Sequence, residues 1–197
     1  MGSSTSLLEP LVRLGARIVF HGDSVTWYGG FPEGWCRLVE ARLMAIGRDV
    51  AGFCSGFSGD NSTQMVARFA SEALCYGPDW VTIMAGINDV YDGVPVATYK
   101  ANLAAMITAA EARKCRVLLM TPNLVEPPHN PSFNETMAAY VTACRELAGA
   151  HPAVVLADVH AAHLASGETW TFDGAHPNEL GHQRIAATVL QAFGLEA

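Results

Sequence analysis

The sequence predicts an α/β fold in which a parallel sheet of five strands is covered by helices on both faces. Short apolar segments rich in β-branched residues alternate five times with longer segments of helical periodicity. Each short segment is apolar at successive positions, as expected of a strand that is buried on both faces of a parallel sheet. Such alternation is typical of parallel sheets whose strands are joined by right-handed helical crossovers.

The predicted elements follow one another without a linker, a repeat or a low-complexity segment between them. Four helical stripes begin near Trp35, Met65, Leu103 and Tyr140, and a last helix is predicted from about Glu179 to Phe193. The predicted strands are Ala16–Phe20, Val50–Phe53, Trp80–Met84, Arg116–Met120 and Ala153–Leu156.

Length and composition predict a single domain over residues 1–197, in which segment 1–14 is expected to be loosely ordered. Half of the residues are hydrophobic and 16% are charged, which argues against disorder. The net charge of −7 disfavours nucleic acid as a partner, because a phosphate backbone requires a basic surface. No apolar segment approaches the ~20 residues that span a bilayer, and no signal-peptide pattern is present at the N-terminus. We therefore expect no stable membrane insertion.

The cysteines indicate a reducing compartment. There are five of them, they form no C-x-x-C pair, and each lies in an apolar segment, which is typical of buried free thiols. We therefore expect a cytoplasmic protein, and the high apolar content leaves a homodimer open.

Polar clusters follow four of the predicted strands. They are Gly22–Ser24, Cys54–Asn61, Ala85–Asp89 and Thr121–Asn123. Because the carboxyl ends of parallel strands meet at one edge of the sheet, these clusters are expected to lie together where open α/β sheets bind ligands. The loop before the last helix can bring two further polar side chains, Asp173 and His176, to the same edge.

Three of these side chains have the chemistry of a nucleophilic hydrolase. Ser24 supplies a hydroxyl, His176 an imidazole that can act as its base, and Asp173 a carboxylate that can orient the imidazole. Two other interpretations remain open on these residues alone. Ser24 could simply cap a helix, and Asp173 with His176 could be two ligands of a metal site, although no neighbouring pattern supplies a third ligand.

Two further residues could stabilise the oxyanion that develops when a serine attacks a carbonyl. Gly59 lies in a turn where a backbone N–H can approach a ligand closely, and Asn88 carries an amide that can donate. An ordinary turn glycine and an asparagine cap are the alternatives. Their placement after the second and third strands, beside Ser24 after the first, favours an oxyanion site.

At this point four separated blocks resemble the SGNH hydrolases, also called the GDSL esterase/lipase family. Gly22-Asp23-Ser24-Val25 resembles the first block, with valine where leucine is often found. Ser58-Gly59-Asp60 resembles the second, with Ser55 near a position that often holds asparagine. Gly86-Ile87-Asn88-Asp89 matches G-x-N-D, and Asp173-Gly174-Ala175-His176-Pro177 matches D-x-x-H-P. The blocks occur in the family's order and extend over most of the chain.

The resemblance implies a three-layer α/β/α sandwich with a flavodoxin-like sheet and ester hydrolysis without a metal or organic cofactor. It implies that Ser24 is the nucleophile, that Asp173 and His176 complete the triad, and that the Ser24 N–H, Gly59 and Asn88 form the oxyanion hole. The substrate is expected to be a small-molecule carboxylic ester, with a short acyl or acetyl group because the loops are short. Lysophospholipids, thioesters and acyl transfer at the same site are alternatives within this class, and a catalytically inactive carbohydrate- or lipid-binding module is an alternative outside it.

Two segments are expected to shape the substrate site. Trp27 and Tyr28 follow the nucleophile and could form a wall for the acyl or alcohol group, or merely pack their own loop. Residues 123–131, which are rich in proline, form a second candidate wall that begins with Asn123. We expect Asp23, Trp27, Tyr28 and Asn123 to contribute to substrate binding.

Overall fold

The computed structural model describes residues 11–195 and contains a five-stranded parallel sheet in the order β2-β1-β3-β4-β5. This sheet, with helices on both of its faces, confirms the predicted fold class. The strands are β1 (Arg17–Gly22), β2 (Ala51–Gly56), β3 (Trp80–Met84), β4 (Arg116–Met120) and β5 (Val154–Ala157).

Eight α-helices lie between and after the strands in the described part of the chain. The five with clear apolar periodicity are the ones that the sequence predicts, and three short ones follow directly after strands. In chain order they are α1 (Ser24–Gly29), α2 (Trp35–Ala45), α3 (Ser62–Glu72), α4 (Ile87–Tyr91), α5 (Val96–Glu111), α6 (Ser132–Ala150), α7 (Val159–Ser166) and α8 (Glu179–Ala192). None of the described helices combines the length and the apolar character that are needed to cross a membrane.

The core has two halves because successive strand residues point to opposite faces of the sheet. In β1, Ile18 and Phe20 pack on one face with residues of α2 and α8, whereas Val19 packs on the other face with residues of α3 and α5. Trp35 of α2 and Phe20 illustrate the first half, since their rings meet edge to face at 5.3 Å. The alternation explains why apolar residues follow one another along the strands instead of alternating with polar ones.

The start of the described chain is attached to this core. Val12 is fully buried, and the Leu11 backbone N–H donates to the Phe193 carbonyl at 3.0 Å. Residues 11–14, expected to be loosely ordered, are therefore tied to the end of α8. The rest of that expectation, over residues 1–10, lies outside the described residues.

The strand order places a switch point between β1 and β3. The chain leaves β1 toward β2 on one side, and β3 lies on the other side of β1. Gly22 at the end of β1 is level with Met84 at the end of β3. The crevice outside these two strand ends is where doubly wound sheets bind ligands, and the candidate residues Ser24 and Asn88 follow these same ends.

Candidate active site

A continuous hydrogen-bonded chain joins the three candidate triad residues. The His176 Nε2 atom lies 2.9 Å from the Ser24 Oγ atom, and the His176 Nδ1 atom lies 2.6 Å from the Asp173 Oδ2 atom. With the proton on Nδ1 held by the carboxylate, Nε2 is free to accept the serine proton. These contacts bring together residues from opposite ends of the chain. They are arranged as a nucleophile, a base and a carboxylate that orients the base would be.

Ser24 is the first residue of α1, immediately after β1. Asp23 caps this helix, because its Oδ1 atom accepts the Val25 N–H at 2.9 Å. The Trp35 indole of α2 donates to the Val25 carbonyl at 3.1 Å. The turn that carries the hydroxyl is thus fixed both from its cap and from the neighbouring helix, and Ser24 itself is only 7% exposed.

Asp173 and His176 lie in the segment before α8, which we call the base loop (residues 170–177). The Asp173 Oδ1 atom accepts the backbone N–H groups of Ala175 at 3.0 Å and His176 at 2.8 Å, so the carboxylate organises its own turn. Burial raises the pKa of Asp173, but the hydrogen bonds from the His176 ring and from these two N–H groups outweigh it and lower the pKa to about 2. The carboxylate is therefore ionised across the neutral range.

The candidate oxyanion donors, Gly59 and Asn88, lie shortly after the ends of β2 and β3, the two strands next to β1. Asn88 is in the first turn of α4, where its Nδ2 atom donates to the Asp60 carbonyl at 2.8 Å. Gly59 lies one residue before Asp60, at a φ of +88° that favours glycine. The loop between β2 and α3 is held to β1 as well, since the Phe57 N–H donates to the Gly22 carbonyl at 3.0 Å. Gly59 and Asn88 are therefore fixed relative to each other and to the Ser24 turn.

Arg68 of α3 links the segments that carry the candidate oxyanion donors and the Ser24 turn. Its guanidinium donates to the Gly22 carbonyl at 2.8 Å, to the Ser55 carbonyl at 3.0 Å and to the Asp60 carboxylate at 2.5 Å. His21 of β1 is fully buried beside it, with its ring nitrogens at 3.1 Å from the Ser55 Oγ and 3.2 Å from the Met65 carbonyl.

A cavity of about 160 Å³ opens beside the Ser24 hydroxyl and is also lined by Asn88 and the two base-loop residues of the candidate triad. Tyr91 and His129 line it as well, and the Tyr91 hydroxyl lies 2.7 Å from the His129 Nδ1 atom. The remaining walls are apolar and come from Val25, Ile87 and Ala175.

Four aromatic side chains form a cluster on the other side of the histidine. The Tyr28 and Phe172 rings lie 5.1 Å and 5.9 Å from the His176 ring. Trp27 and Phe31 pack edge to face with Tyr28 at 5.0 Å and 5.9 Å. Trp27, Phe31 and Phe172 are exposed by 41%, 47% and 59%, so this aromatic cluster presents an open apolar surface next to the His176 ring.

The expected binding residues divide into two pairs. Trp27 and Tyr28 lie in the aromatic cluster, at the edge of the site. Asp23 and Asn123 are instead buried, with 2% and 1% exposure, and neither lines the cavity. Asp23 caps α1, and the Asn123 Nδ2 atom donates to the Ala175 carbonyl at 3.1 Å, so both hold the site from behind rather than facing a ligand.

Three residues that face the site were not singled out from the sequence: Tyr91, His129 and Phe172. Tyr91 is one helical turn after Asn88, a spacing that could have indicated it. His129 belongs to the proline-rich wall, where its position depends on how the loop folds. Among residues 11–195, no group of three or more His, Cys, Asp or Glu side chains is arranged to hold a metal ion.

The sequence is similar to two proteins that are named as esterases. It is 26% identical to an acetylxylan esterase of Geobacillus stearothermophilus, over 92% of this chain and 95% of that protein. It is also 26% identical to an arylesterase of Vibrio mimicus, over 89% of this chain and 86% of that one.

The fold is shared with solved structures. The acetylxylan esterase Axe2 of Geobacillus stearothermophilus superposes with a TM-score of 0.84 at 24% identity, covering 94% of this chain and 97% of that one. LAE5, an α/β hydrolase enzyme from the metagenome of Lake Arreo, superposes with a TM-score of 0.84 at 26% identity, covering 93% and 97%. The GDSL-like lipase/acylhydrolase family matches residues 20–184, which include all four sequence blocks. This chain belongs to the GDSL-like lipase/acylhydrolase family.

Proposed function

We propose that this carboxylic ester hydrolase cleaves short-chain or acetyl esters of small molecules through an acyl-enzyme on Ser24. The observation that carries the proposal is the relay from Asp173 through His176 to the Ser24 hydroxyl, at the mouth of a cavity of about 160 Å³. Family membership establishes ester hydrolysis; the covalent mechanism and the acyl length are inferred from this geometry.

The reaction would proceed in two halves. Ser24 attacks the ester carbonyl while His176 takes its proton, and the Asp173 carboxylate stabilises the imidazolium. His176 then returns the proton to the departing alcohol. Water, activated by the same imidazole, attacks the acyl-serine and releases the acid. Ser24, His176 and Asp173 would supply the catalytic groups of both halves, and the solvent would supply the water.

The charge on the carbonyl oxygen requires donors that are already in place. The Nδ2 atom of Asn88 has two N–H bonds, of which one donates to the Asp60 carbonyl, so the other remains for the oxyanion. The Ser24 and Gly59 backbone N–H groups would supply the remaining donors. Arg68 contacts both neighbouring loops and holds these donors in place. We therefore expect little rearrangement of the loops when a substrate binds.

The size of the cavity supports a small acyl group. A space of about 160 Å³ between the triad and the walls from Val25, Ile87 and Ala175 suits an acetyl to butyryl group rather than a long fatty acid. The aromatic cluster would receive the alcohol part, where a sugar ring or an aryl ring could pack on exposed faces. The acetylxylan esterase and arylesterase relatives carry names that fit both kinds of alcohol.

Hydrolysis of p-nitrophenyl esters from acetate to palmitate tests the proposal. We expect the largest kcat/KM at two to four acyl carbons. We expect Ser24→Ala to lose on the order of 10⁴-fold or more in kcat. Ser71→Ala is the matched control, because this hydroxyl donates only to the Arg68 carbonyl on its own helix.

Near-normal ester turnover by Ser24→Ala would overturn the nucleophile assignment, and an optimum at long chains would overturn the assignment of the acyl class. Product analysis with added alcohol separates hydrolysis from acyl transfer, which would yield a new ester.

A further inference from the structure

Glu126 extends from the loop after β4, residues 121–131, toward the back of the base loop. Its Oε2 atom accepts the Thr171 N–H at 2.8 Å, the Thr171 hydroxyl at 2.5 Å and the Trp170 N–H at 3.1 Å. The side chain is only 14% exposed and does not line the cavity. A largely buried carboxylate thus gathers three donors from the two residues at the start of the base loop.

The loop after β4 also contacts residues 174–175, near the end of the base loop. The Glu126 N–H donates to the Gly174 carbonyl at 2.7 Å, and the Asn123 Nδ2 atom donates to the Ala175 carbonyl at 3.1 Å. Asp173 therefore lies between two anchored points, residues 170–171 before it and residues 174–175 after it. Both anchors belong to a loop that supplies no member of the triad.

A buried histidine completes this support. The His163 Nε2 atom lies 3.4 Å from the Glu126 Oε1 atom, and its Nδ1 atom accepts the Leu124 N–H at 3.2 Å. Its ring also stacks on Trp170 at 4.2 Å with an interplanar angle of 2°. Burial lowers the pKa of His163 in spite of the nearby Glu126 carboxylate, so the ring is neutral at pH 7 and its Nε2–H points to Glu126.

We propose that Glu126 is a positioning residue for the candidate base, holding residues 170–171 so that His176 stays within reach of the Ser24 hydroxyl. The proposal rests on the triad assigned under the proposed function. Converging N–H and O–H donors call for an acceptor with two oxygens, and hydrogen bonds to a carboxylate are about twice as strong as neutral ones. An amide in its place would turn an NH₂ group toward N–H groups or leave one of them without an acceptor.

The decisive variant is Glu126→Gln, which preserves shape and removes the charge and one acceptor. We expect kcat on p-nitrophenyl acetate to fall roughly 10- to 100-fold, the scale of a small misplacement of reacting groups, with KM within about twofold of the parent. Glu146→Gln is the matched control. It removes a carboxylate on α6 that is paired with Lys100 on α5 rather than with the base loop, and we expect unchanged kcat.

Active-site titration with a fluorophosphonate separates positioning from loss of folded protein. A positioning role slows the reaction of each site and leaves the titrated fraction near one. A purely structural role lowers the titrated fraction and leaves the rate per site unchanged, which would overturn the proposal.

Thr171→Val provides a second variant if Glu126→Gln does not fold. It removes only the hydroxyl donor to Glu126, and we expect a few-fold loss of kcat per titrated site; no loss would count against the proposal. Failure of the triad itself is distinguishable, because it would appear as activity in Ser24→Ala. A Ser24→Ala enzyme without activity beside a Glu126→Gln enzyme of full activity would reject the positioning role alone.

Discussion

At the residue scale, Asp23 is a fully enclosed carboxyl group directly beside the proposed nucleophile. Burial raises its pKa, the Val25 N–H lowers it, and the negative charges of Asp89 and Asp60 raise it again, with the result that the pKa is about 7. The folded protein therefore binds this proton more tightly than the unfolded chain does. The stability that this group contributes is fully present below its unfolded pKa of 3.8 and is lost as the pH rises from there through about 7.

Asp23→Asn keeps the oxygen that caps α1 and removes the titration. We expect the wild-type protein to lose about 2–3 kcal/mol of unfolding free energy relative to this variant between pH 5 and pH 8. Urea unfolding at the two pH values measures the difference. Parallel pH dependence of the two proteins would show that Asp23 does not titrate in this range.

At the scale of elements, the start of α8 lies directly against the base loop. Asn178 caps the helix by accepting the Gly181 N–H at 2.9 Å, and its own N–H donates to the Trp170 carbonyl at 2.7 Å. A Cβ atom at Gly181 would overlap that same carbonyl oxygen. The absence of a side chain at Gly181 thus sets how closely α8 approaches the loop that carries Asp173 and His176.

Gly181→Ala is expected to destabilise the protein by roughly 1–3 kcal/mol, because added atoms in a packed contact force the backbone to move. It is also expected to lower kcat, since the part that moves carries His176. Gly149→Ala on α6 is the control, as a Cβ there meets nothing within 4 Å and should be neutral or slightly stabilising. Equal stability of the two variants, measured by thermal unfolding, would contradict the close packing of α8.

The sequence predicts the strands and the long helices well and the short helices poorly, for a physical reason. The strands were expected at the right places because burial on both faces requires continuous apolar residues. β2 extends to Gly56 rather than Phe53 because its pairing with β1 continues past the apolar residues. Helices α1, α4 and α7 have five to eight residues, too few for a periodic stripe to be visible.

For the site, local sequence patterns predict some residues and miss others. Ser24, Asn88, Asp173 and His176 are recognisable because each lies in a short local block. The contacts of Glu126 with the base loop depend on how two loops from different parts of the chain meet, and no local pattern encodes that meeting.

At the scale of the whole molecule, the site depends on one contact of very long range. Ser24 and His176 are 152 positions apart in sequence, whereas Asp173 and His176 are three apart in a single turn. Partial opening of the base loop would leave the local pair intact and separate the serine from its base. Segments held mainly by loop contacts open at lower free energy than the core of a domain.

We therefore expect activity to decline at lower urea concentrations than the helical signal. Parallel measurements of p-nitrophenyl acetate turnover and far-ultraviolet circular dichroism across a urea series test this. Coincident midpoints would mean that the base loop opens only when the entire fold is lost.

The distance between Ser24 and His176 along the chain also affects the protein during its synthesis. Domains fold as units and translation proceeds from the N-terminus, so the ribosome makes the serine first and its histidine 152 residues later. Until His176 has emerged and the sheet has formed, the Ser24 hydroxyl of the nascent chain lacks the base that we propose for it. Because of this order, we expect the protein to become able to hydrolyse esters only after it has folded.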